Sequence, residues 1–580
     1  MTKTSVAPLQ PTEAQPQPQP QPQPHSQSQS QSLPRTSRSL RRHRSERNIN
    51  PVQLQAFEWN LPADHKHWRR LRQALPALKT LGVNSLWLPP GSKAKCPESN
   101  GYDIYDAWDL GEFDQKGSVP TKWGTKGDLV SLAADAEKNG IGLVWDAIHN
   151  HRAYADGTEM VKVVEVDPSD RRVDITDPYE IEAWTRFDYD ARAGKYSKFK
   201  YNKSHFNGTD WNQINSKRAI YRYVEDGKNW HRDVGTSQGN ADYLMLENLD
   251  YTNPDVVREQ HQWGRWIVDE LGLRGFRVDA VQHISWNFIN EWSKLLRKRS
   301  PNQHQHHHHH HRGGGGPPHD LMFIGEFWHG DVRVLTQWLD HMHSFFSLYD
   351  VPLMYHIARL SWHDGTDLRD VFKNTLVEQR PDNAVTFIRN HDTQKGQAMD
   401  TSICKEFMPL AYSLLLLRRE GHPCVFFGDL YGIGLPHPEA PVEGLPDLLL
   451  ARKLYAHGRQ DDYFDRRDCV GWVRRGSDER PDGLALVMSW SKAEDPDTRL
   501  RMDVGLAHAG EVWTDVLARA RARALAPEPA PEPEPVTIDE NGFGLFRCRR
   551  NSMACFVRGD ARGRNKFPVK FNADFQSLVG

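Results

Sequence analysis

Short apolar runs alternate with segments of helical period along most of the chain. In residues 254–271 the apolar side chains recur every three or four positions and fall near one face, which predicts an amphipathic helix. Several runs are apolar throughout, as strands buried on both faces of a parallel sheet are. Eight runs are predicted to be strands: 52–59, 83–88, 141–146, 275–279, 321–326, 345–351, 384–390 and 423–428.

This alternation of strand and helix is typical of an α/β fold, and eight parallel strands close a barrel. The sequence therefore predicts a (β/α)8 TIM barrel. Residues 152–252 interrupt the pattern, because they are rich in aromatic residues, Asp and Gly and contain no long helical period. They predict a β-rich excursion domain after strand 3. From about residue 456, short alternating runs predict a C-terminal antiparallel β domain.

These patterns divide the chain into five predicted parts. They are a tail rich in Gln, Pro, Ser and Arg (1–50), a first barrel segment (51–151), the excursion domain (152–252), a second barrel segment (253–455) with a low-complexity insert (303–319), and the C-terminal β domain (456–580) with a Pro/Glu insert (526–535). The tail has almost nothing to bury and is predicted to be disordered. Its Arg cluster is interpreted as a solvated basic segment, with docking to an unknown protein partner or a nuclear-import signal as alternatives.

Charge and apolar content exclude several classes of protein. Lys plus Arg number 74 and Asp plus Glu 76, so the net charge of −2 predicts no binding to nucleic acid or to an anionic membrane. No apolar run approaches the ~18 residues of a membrane-spanning helix, and the N-terminus has no apolar signal core. The scattered cysteines indicate reduced thiols in a cytoplasmic protein, with a Cys548–Cys555 pair as the alternative.

Four of the predicted strands end in polar residues. One such end means little, because Asp and Asn are ordinary helix N-caps. Carboxylates and His side chains together at four strand ends are not explained by capping, since buried carboxylates are costly unless they are paired or used. The four segments are Trp145-Asp-Ala-Ile-His-Asn-His151, Gly275-Phe-Arg-Val-Asp-Ala-Val-Gln-His283, Phe323-Ile-Gly-Glu-Phe327 and Phe387-Ile-Arg-Asn-His-Asp392.

These segments resemble the four signature regions of the α-amylase family of glycoside hydrolases. The resemblance extends over residues 52–557 and includes Gln55-Ala-Phe-Glu-Trp59, Lys122-Trp-Gly-Thr-Lys-Gly127 and Phe206-Asn-Gly-Thr-Asp-Trp211, which are similar to the bacterial liquefying type and to intracellular fungal members. It implies a retaining endo-hydrolase of α-1,4-glucosidic bonds in starch- or glycogen-like glucans or maltooligosaccharides. The expected partner is thus an α-glucan.

The resemblance also implies a role for each polar strand end. Asp279 would be the nucleophile that forms a covalent glycosyl–enzyme, Glu326 the general acid and then base, and Asp392 a stabiliser of the distorted sugar ring. Arg277 lies two residues before Asp279 on the same side of its strand and can keep the nucleophile ionised. The residues expected to bind substrate are Tyr102, His151, Arg277, Gln282, His283 and His391.

The family has a structural calcium between the barrel and the excursion domain, and the resemblance implies a site for it here. Asn150, Asp242 and the backbone carbonyl of His283 are its expected ligands here. Calcium takes six to eight oxygen ligands, often several carboxylates. Bacterial members have Asp where this chain has Asn207, His231 and Asn248, so a linked sodium–calcium cluster is not expected. The sequence is compatible with one bound calcium and with none. A further departure is Gln282, where the family usually has Lys.

Two other functions are compatible with these residues. An α-glucan transglycosylase would use the same three carboxylates and pass the glycosyl group to another sugar instead of water. A non-catalytic barrel that serves as a scaffold would be expected to have lost a carboxylate, and all three are present.

Overall fold

The computed structural model describes residues 50–297, 321–343, 345–363, 367–494, 496–518 and 534–578. All eight predicted strands form, and they close a parallel barrel in chain order, with the first strand paired to the last. The predicted TIM barrel is therefore confirmed. Its strands are β1 (Gln53–Gln55), β2 (Ser85–Trp87), β3 (Gly142–Ala147), β4 (Gly275–Val278), β5 (Met322–Gly325), β6 (Phe346–Tyr349), β7 (Ala384–Thr386) and β8 (His422–Phe426).

Ten α-helices lie among the described residues. The predicted amphipathic helix begins after Asn253, whose side chain accepts the backbone N–H of Asp255, and ends before Gly272 in the left-handed conformation. The helices are α1 (His67–Leu81), α2 (Lys126–Asn139), α3 (Pro254–Leu271), α4 (Trp286–Arg297), α5 (Val332–His341), α6 (Val351–Ser361), α7 (Leu376–Gln379), α8 (Met408–Leu416), α9 (Phe427–Tyr431) and α10 (Leu445–Tyr455). In this part of the chain none of them is both long and apolar enough to cross a bilayer.

The strand β4 has one side chain that faces the surrounding helices and one that faces the barrel interior. Phe276 points outward and packs edge-on against Trp292 of α4. Arg277 points inward, where its guanidinium lies 4.9 Å from the ring centre of Trp87 on β2. Because side chains alternate along a strand, Phe276 and Arg277 lie on opposite faces of β4, with the polar residue inside the barrel.

The interruption after β3 is a six-stranded antiparallel sheet, as predicted. Its order across the sheet is His151–Arg152, Glu247–Leu249, Phe206–Asn212, Lys217–Tyr223, Gly157–Glu165 and Tyr179–Arg186. We call it the excursion sheet. A small two-stranded pair, Lys93–Ala94 with Ile104–Asp106, lies in the loop between β2 and α2.

The C-terminal region is also antiparallel, as predicted. One sheet has the order Gln460–Tyr463, Cys469–Arg474, Leu484–Ser489, Ser552–Arg558, Val512–Asp515 and Val536–Thr537, and a second pairs Arg499–Asp503 with Phe543–Arg547. All six cysteines are described, and none of them is in a disulfide, which excludes the Cys548–Cys555 alternative.

Several predictions fall on residues that the structure does not describe. They are the disordered tail as far as residue 49, the insert at 303–319, and residues 526–533 of the Pro/Glu insert. The boundaries between the five parts of the chain also remain predictions.

The excursion sheet contains a buried carboxyl with no described cation beside it. Glu247 accepts hydrogen bonds from the Thr209 hydroxyl at 2.7 Å and from the Tyr223 hydroxyl at 3.1 Å. Burial disfavours the charged form and raises the pKa of Glu247 to about 8. The folded state therefore keeps a proton that the unfolded chain releases above the ordinary pKa of 4.5.

We expect Glu247→Gln to stabilise the protein increasingly as the pH rises from 5 to 8. Across this window the folded state binds more protons than the unfolded state, so the free energy of unfolding of the wild type falls as pH rises. Gln cannot ionise and lacks this loss. Thermal melts at both pH values should show a gain in Tm that is about 2 °C or more larger at pH 8.

Glu165→Gln is the matched control, since Glu165 lies in the same sheet but is bound by Lys217 at 2.6 Å. Burial raises its pKa, but Lys217 and Tyr179 outweigh burial, and its pKa is lowered. This variant should therefore lose stability, and more so at high pH. An equal change in Tm for Glu247→Gln at both pH values would show that Glu247 is ionised in the fold.

Candidate active site at the carboxyl ends of the barrel strands

Two of the predicted carboxylates come together because their strands are neighbours. In the pairing of β4 with β5, Val278 lies opposite Gly325, and Asp279 and Glu326 are the next residues on each strand. The backbone N–H of Glu326 donates to the carbonyl of Val278 at 2.9 Å, which continues the ladder to this level. Both side chains are buried, with 8% and 7% of each residue exposed.

Arg277 connects the carboxylates. Its Nη1 donates to Asp279 and, at 2.8 Å, to Oδ1 of Asp146, and its Nη2 lies 2.8 Å from Oε2 of Glu326. The guanidinium is completely buried. A planar group with five donors is suited to this task, because it can hold several carboxylates at fixed angles.

The cluster has fewer positive than negative groups, and this sets its protonation. Burial raises the pKa of Asp279 and of Glu326, while Arg277 opposes the shift at both. Asp392, in the loop after β7, has its pKa raised well above the ordinary value by burial and by the nearby charge of Glu326. One guanidinium cannot keep all of these carboxyls ionised, so the site retains protons that a general acid can donate.

Asp146 has a central place in the cluster that the sequence did not assign to it. Besides Arg277, it accepts hydrogen bonds from Nε1 of Trp87 and from the hydroxyl of Tyr102, both at 2.9 Å. The signal was available, because Asp146 lies opposite Arg277 in the pairing of β3 with β4. Aligning the polar ends of these two strands would have identified the pair.

Two of the residues predicted to bind sugar, Tyr102 and His391, form a stack of parallel rings with Trp59 beside the cluster. The Tyr102 ring is parallel to His391 at 5.1 Å, and Trp59 lies nearly parallel to both rings. His391 contacts Gln55 through Nδ1 at 3.0 Å and lies 3.3 Å from Asp392 through Nε2. Burial and the Arg277 charge hold the pKa of His391 well below its ordinary value, so the ring is neutral.

Trp59 and Gln55 were quoted in the sequence motifs, but neither was predicted as a site residue. Gln55 is the last residue of β1, and the place of Trp59 depends on the path of the loop after that strand.

His151 lies beside the stack, because its Nε2 bonds to the carbonyl of Tyr102 at 2.8 Å. Burial lowers the pKa of His151 to about 4, so it too is neutral at physiological pH.

Gln282 and His283 lie on a short 3₁₀ turn, Val281–His283, after β4. Two of their contacts are with the excursion domain: the carbonyl of Gln282 accepts from the N–H of Gly235 at 2.7 Å, and Nδ1 of His283 bonds to the carbonyl of Ala241. The Gln282 side-chain oxygen is buried with no described hydrogen-bond partner. Binding of substrate by these two residues remains a prediction.

The three expected calcium ligands are brought together. The side-chain nitrogen of Asn150 donates to the carbonyl of His283 at 2.9 Å and lies 3.2 Å from the carbonyl of Asp242. Asp242 supplies a carboxylate, but the described residues contain no group of three or more His, Cys, Asp and Glu side chains placed to hold a metal. The Asn150 nitrogen is directed at the two carbonyl oxygens that a calcium ion would need as ligands. This arrangement of side chains therefore does not fit a calcium ion.

Comparisons with known proteins agree with this geometry. Residues 67–475 match the family described as the α-amylase catalytic domain. The chain is 37% identical to glucan 1,4-α-maltohexaosidase of Bacillus sp. (strain 707), covering 88% of this chain and 92% of that protein. It is 36% identical to the cytoplasmic α-amylase of Escherichia coli (strain K12), covering 88% and 99%.

A solved structure has the same fold. The α-amylase of Anoxybacillus superimposes with a TM-score of 0.56 at 16% identity, over 88% of this chain and 99% of that one. The family match spans well over half of the chain, and the buried carboxylates at neighbouring strand ends lie inside it. This chain belongs to the α-amylase family of glycoside hydrolases.

Proposed function

We propose that the protein hydrolyses internal α-1,4-glucosidic bonds of starch- or glycogen-like glucans with retention of configuration, through a covalent intermediate on Asp279. The observation that carries the proposal is the shared guanidinium. Asp279 and Glu326 both contact Arg277, Asp279 through Nη1 and Glu326 through Nη2 at 2.8 Å. Retaining glycosidases keep their carboxyl groups ~5–5.5 Å apart, whereas inverting ones leave ~6.5–9.5 Å for a water. Contact of both carboxyls with one guanidinium favours the retaining class over the inverting one.

The first step needs a protonated Glu326 and an ionised Asp279. Oε2 of Glu326 is occupied by Arg277 and by the backbone N–H of Ala280 at 3.0 Å, which leaves Oε1 for the transferable proton. Glu326 gives this proton to the glycosidic oxygen while an oxygen of Asp279 bonds to the anomeric carbon. The bond from that carbon to the leaving sugar breaks, and the leaving sugar departs with a hydroxyl.

In the second step Glu326 acts as a base. It takes a proton from water, the water oxygen bonds to the anomeric carbon, and the bond to Asp279 breaks. Arg277 supports both steps, because it stabilises the Asp279 carboxylate as nucleophile and again as leaving group. The two inversions at one carbon leave the product with the α configuration of the substrate.

The stack of Trp59, Tyr102 and His391 supports binding of the sugar beside Asp279. The neutral imidazoles of His151 and His391 and the Asp392 carboxyl would bind its hydroxyls. We also propose that the protein acts in the cytoplasm on stored glucan, which its similarity to the cytoplasmic α-amylase of Escherichia coli supports. The same carboxylates would serve a transglycosylase, and the products separate the two functions.

We expect Asp279→Asn to lower the hydrolysis rate of a blocked maltooligosaccharide by roughly 10³-fold or more, because the covalent step is lost. The fold should persist, since the change removes one negative charge from a buried cluster rich in carboxyls. Rates should be measured together with circular dichroism and Tm. Proton NMR of the first wild-type product should show the α-anomer.

Two results would contradict this proposal. An initial β-anomer would exclude retention, and a wild type no faster than Asp279→Asn would exclude hydrolysis at this site. Products longer than the substrate at high oligosaccharide concentration would assign the site to transfer instead.

Asp146→Asn should shift the pH–activity profile toward acid and lower kcat by roughly 10- to 100-fold. The Asp146 charge raises the pKa of Asp279, and Asp146 shares Nη1 of Arg277 with Asp279. Its loss lets Arg277 stabilise the remaining carboxylates more strongly, so both should ionise at lower pH. The profile of kcat against pH measures the shift.

Asp106→Asn is the matched control, because Asp106 is equally buried and is bound by Arg192 at 2.7 Å in the loop after β2. It removes a buried Asp–Arg pair of the same kind outside the cluster. Both variants should lose some stability, but only Asp146→Asn should move the profile. A profile that moves equally in both variants, or in neither, would overturn the role of Asp146 in positioning Arg277.

A further inference from the structure

Three buried amide side chains lie side by side where the excursion sheet meets the barrel. Asn248 lies opposite His151 on one side and opposite Gly208 on the other, so Asn150, Asn248 and Asn207 come from successive strands or their ends. The carboxylate of Asp242 completes the group, which we call the amide cluster (Asn150, Asn207, Asp242 and Asn248). Each member is at most 2% exposed.

The hydrogen bonds of the amide cluster fix the orientation of each amide in turn. A carboxylate only accepts, so Oδ2 of Asp242 requires the nitrogen of Asn207, which lies 2.8 Å away. The oxygen of Asn207 then accepts from the nitrogen of Asn248 at 2.7 Å. The Asn248 oxygen is left facing Asn150, whose nitrogen donates to it at 3.0 Å. No amide can be reversed without leaving a buried oxygen facing another oxygen.

The nitrogen of Asn150 is thus surrounded by three oxygens: Oδ1 of Asn248 and the carbonyls of Asp242 and His283. A ring of oxygens around one centre is what a cation requires, and here an NH₂ group lies against them. A calcium would need the Asn150 oxygen turned inward. It would also sit beside a single carboxylate, which leaves an excess positive charge in a buried place.

A second group of oxygens, in the loops beside the excursion sheet, surrounds an ammonium. Nζ of Lys228 donates to the carbonyls of Phe206 and Ser204 at 2.6 and 2.8 Å and to Oδ2 of Asp250 at 3.0 Å. Only 12% of the Lys228 side chain is exposed. Asp250 also accepts from the N–H and hydroxyl of Thr252. The Lys228 charge therefore lies among two carbonyls and a carboxylate, as a bound cation would.

We propose that the Asn150 amide and the Lys228 ammonium take the place of bound cations at this junction, so that the excursion sheet is held to the barrel without calcium. The proposal does not depend on the reaction at Asp279. It predicts a chain whose stability is set by its own donors and is indifferent to calcium and to chelators.

The first experiment measures metal and stability together on the full chain. Protein purified without added metal should contain substoichiometric calcium by elemental analysis. Its Tm should change by less than about 1 °C between excess EDTA and excess calcium, because a ligand that binds only the folded state raises Tm. Stoichiometric calcium, or a Tm that falls in EDTA, would overturn the proposal.

A variant designed to gain calcium binding tests whether the amides are the reason that the wild type needs no calcium. Asn207→Asp with Asn248→Asp places two more carboxylates beside Asp242 without changing size. In EDTA this variant should have a lower Tm than the wild type, because three like charges are buried together. Calcium should restore its Tm and should bind stoichiometrically. A variant whose Tm is indifferent to calcium would show that the amide cluster does not occupy a cation position.

Lys228→Met tests the ammonium, with Lys217→Met as the matched control. Lys217 is bound to Glu165 in the same sheet, but its side chain is 49% exposed. Lys228→Met should lower Tm by several degrees and calcium should not restore it, whereas Lys217→Met should have a small effect. Equal losses in the two variants would contradict the role assigned to Lys228. Restoration of Lys228→Met by calcium would show a metal site there instead.

Discussion

The buried guanidinium of Arg277 is the group on which the rest of the active site depends. An isolated charge in the barrel interior would cost several kcal/mol, and Arg277 is tolerated because three carboxylates contact it. The carboxylates depend on it in turn, since burial alone would protonate them. Removing Arg277 would leave three buried carboxyls without the cation that they share. The site is therefore one electrostatic unit and not a set of independent side chains.

This dependence explains how two chemically similar carboxyls can have different roles. Asp279 shares Nη1 of Arg277 with Asp146, while Glu326 contacts Nη2 and one backbone N–H. Each carboxyl therefore has its own donors, although burial raises the pKa of both. When one of them ionises, the other is pushed toward its neutral form. A nucleophile and an acid can thus coexist on neighbouring strands.

The sequence predicted most of the fold because the barrel is built from local patterns. Each buried strand is an apolar run, and the caps Asn253 and Gly272 delimit α3 within the chain itself. Asp279 and Glu326 could be placed together because consecutive strands of such a barrel are neighbours. Asp146 was not assigned because its importance comes from register, which places it opposite Arg277 although 131 residues separate them.

The remaining parts of the site depend on loops and could not be read from local patterns. The stack of Trp59, Tyr102 and His391 joins three loops, and parallel rings leave no periodic signal in a sequence. The amide cluster is similar, because Asn150 meets Asn248 and His283 across 98 and 133 residues. The sequence showed that carboxylates were missing there. Only the structure shows that the amides bond to one another.

The two buried polar centres use the same physical solution, in which nitrogen donors of the chain gather oxygens. In the barrel, one cationic side chain gathers carboxylates that would otherwise repel each other. At the junction, the nitrogens of Asn150 and Lys228 gather oxygens that would otherwise require an ion. A donor that is part of the chain cannot dissociate, so its contribution to stability does not vary with the concentration of a free ion. It also has fixed geometry and little capacity to adjust. The junction is therefore less adaptable than a calcium site, and its stability does not depend on the ions in solution.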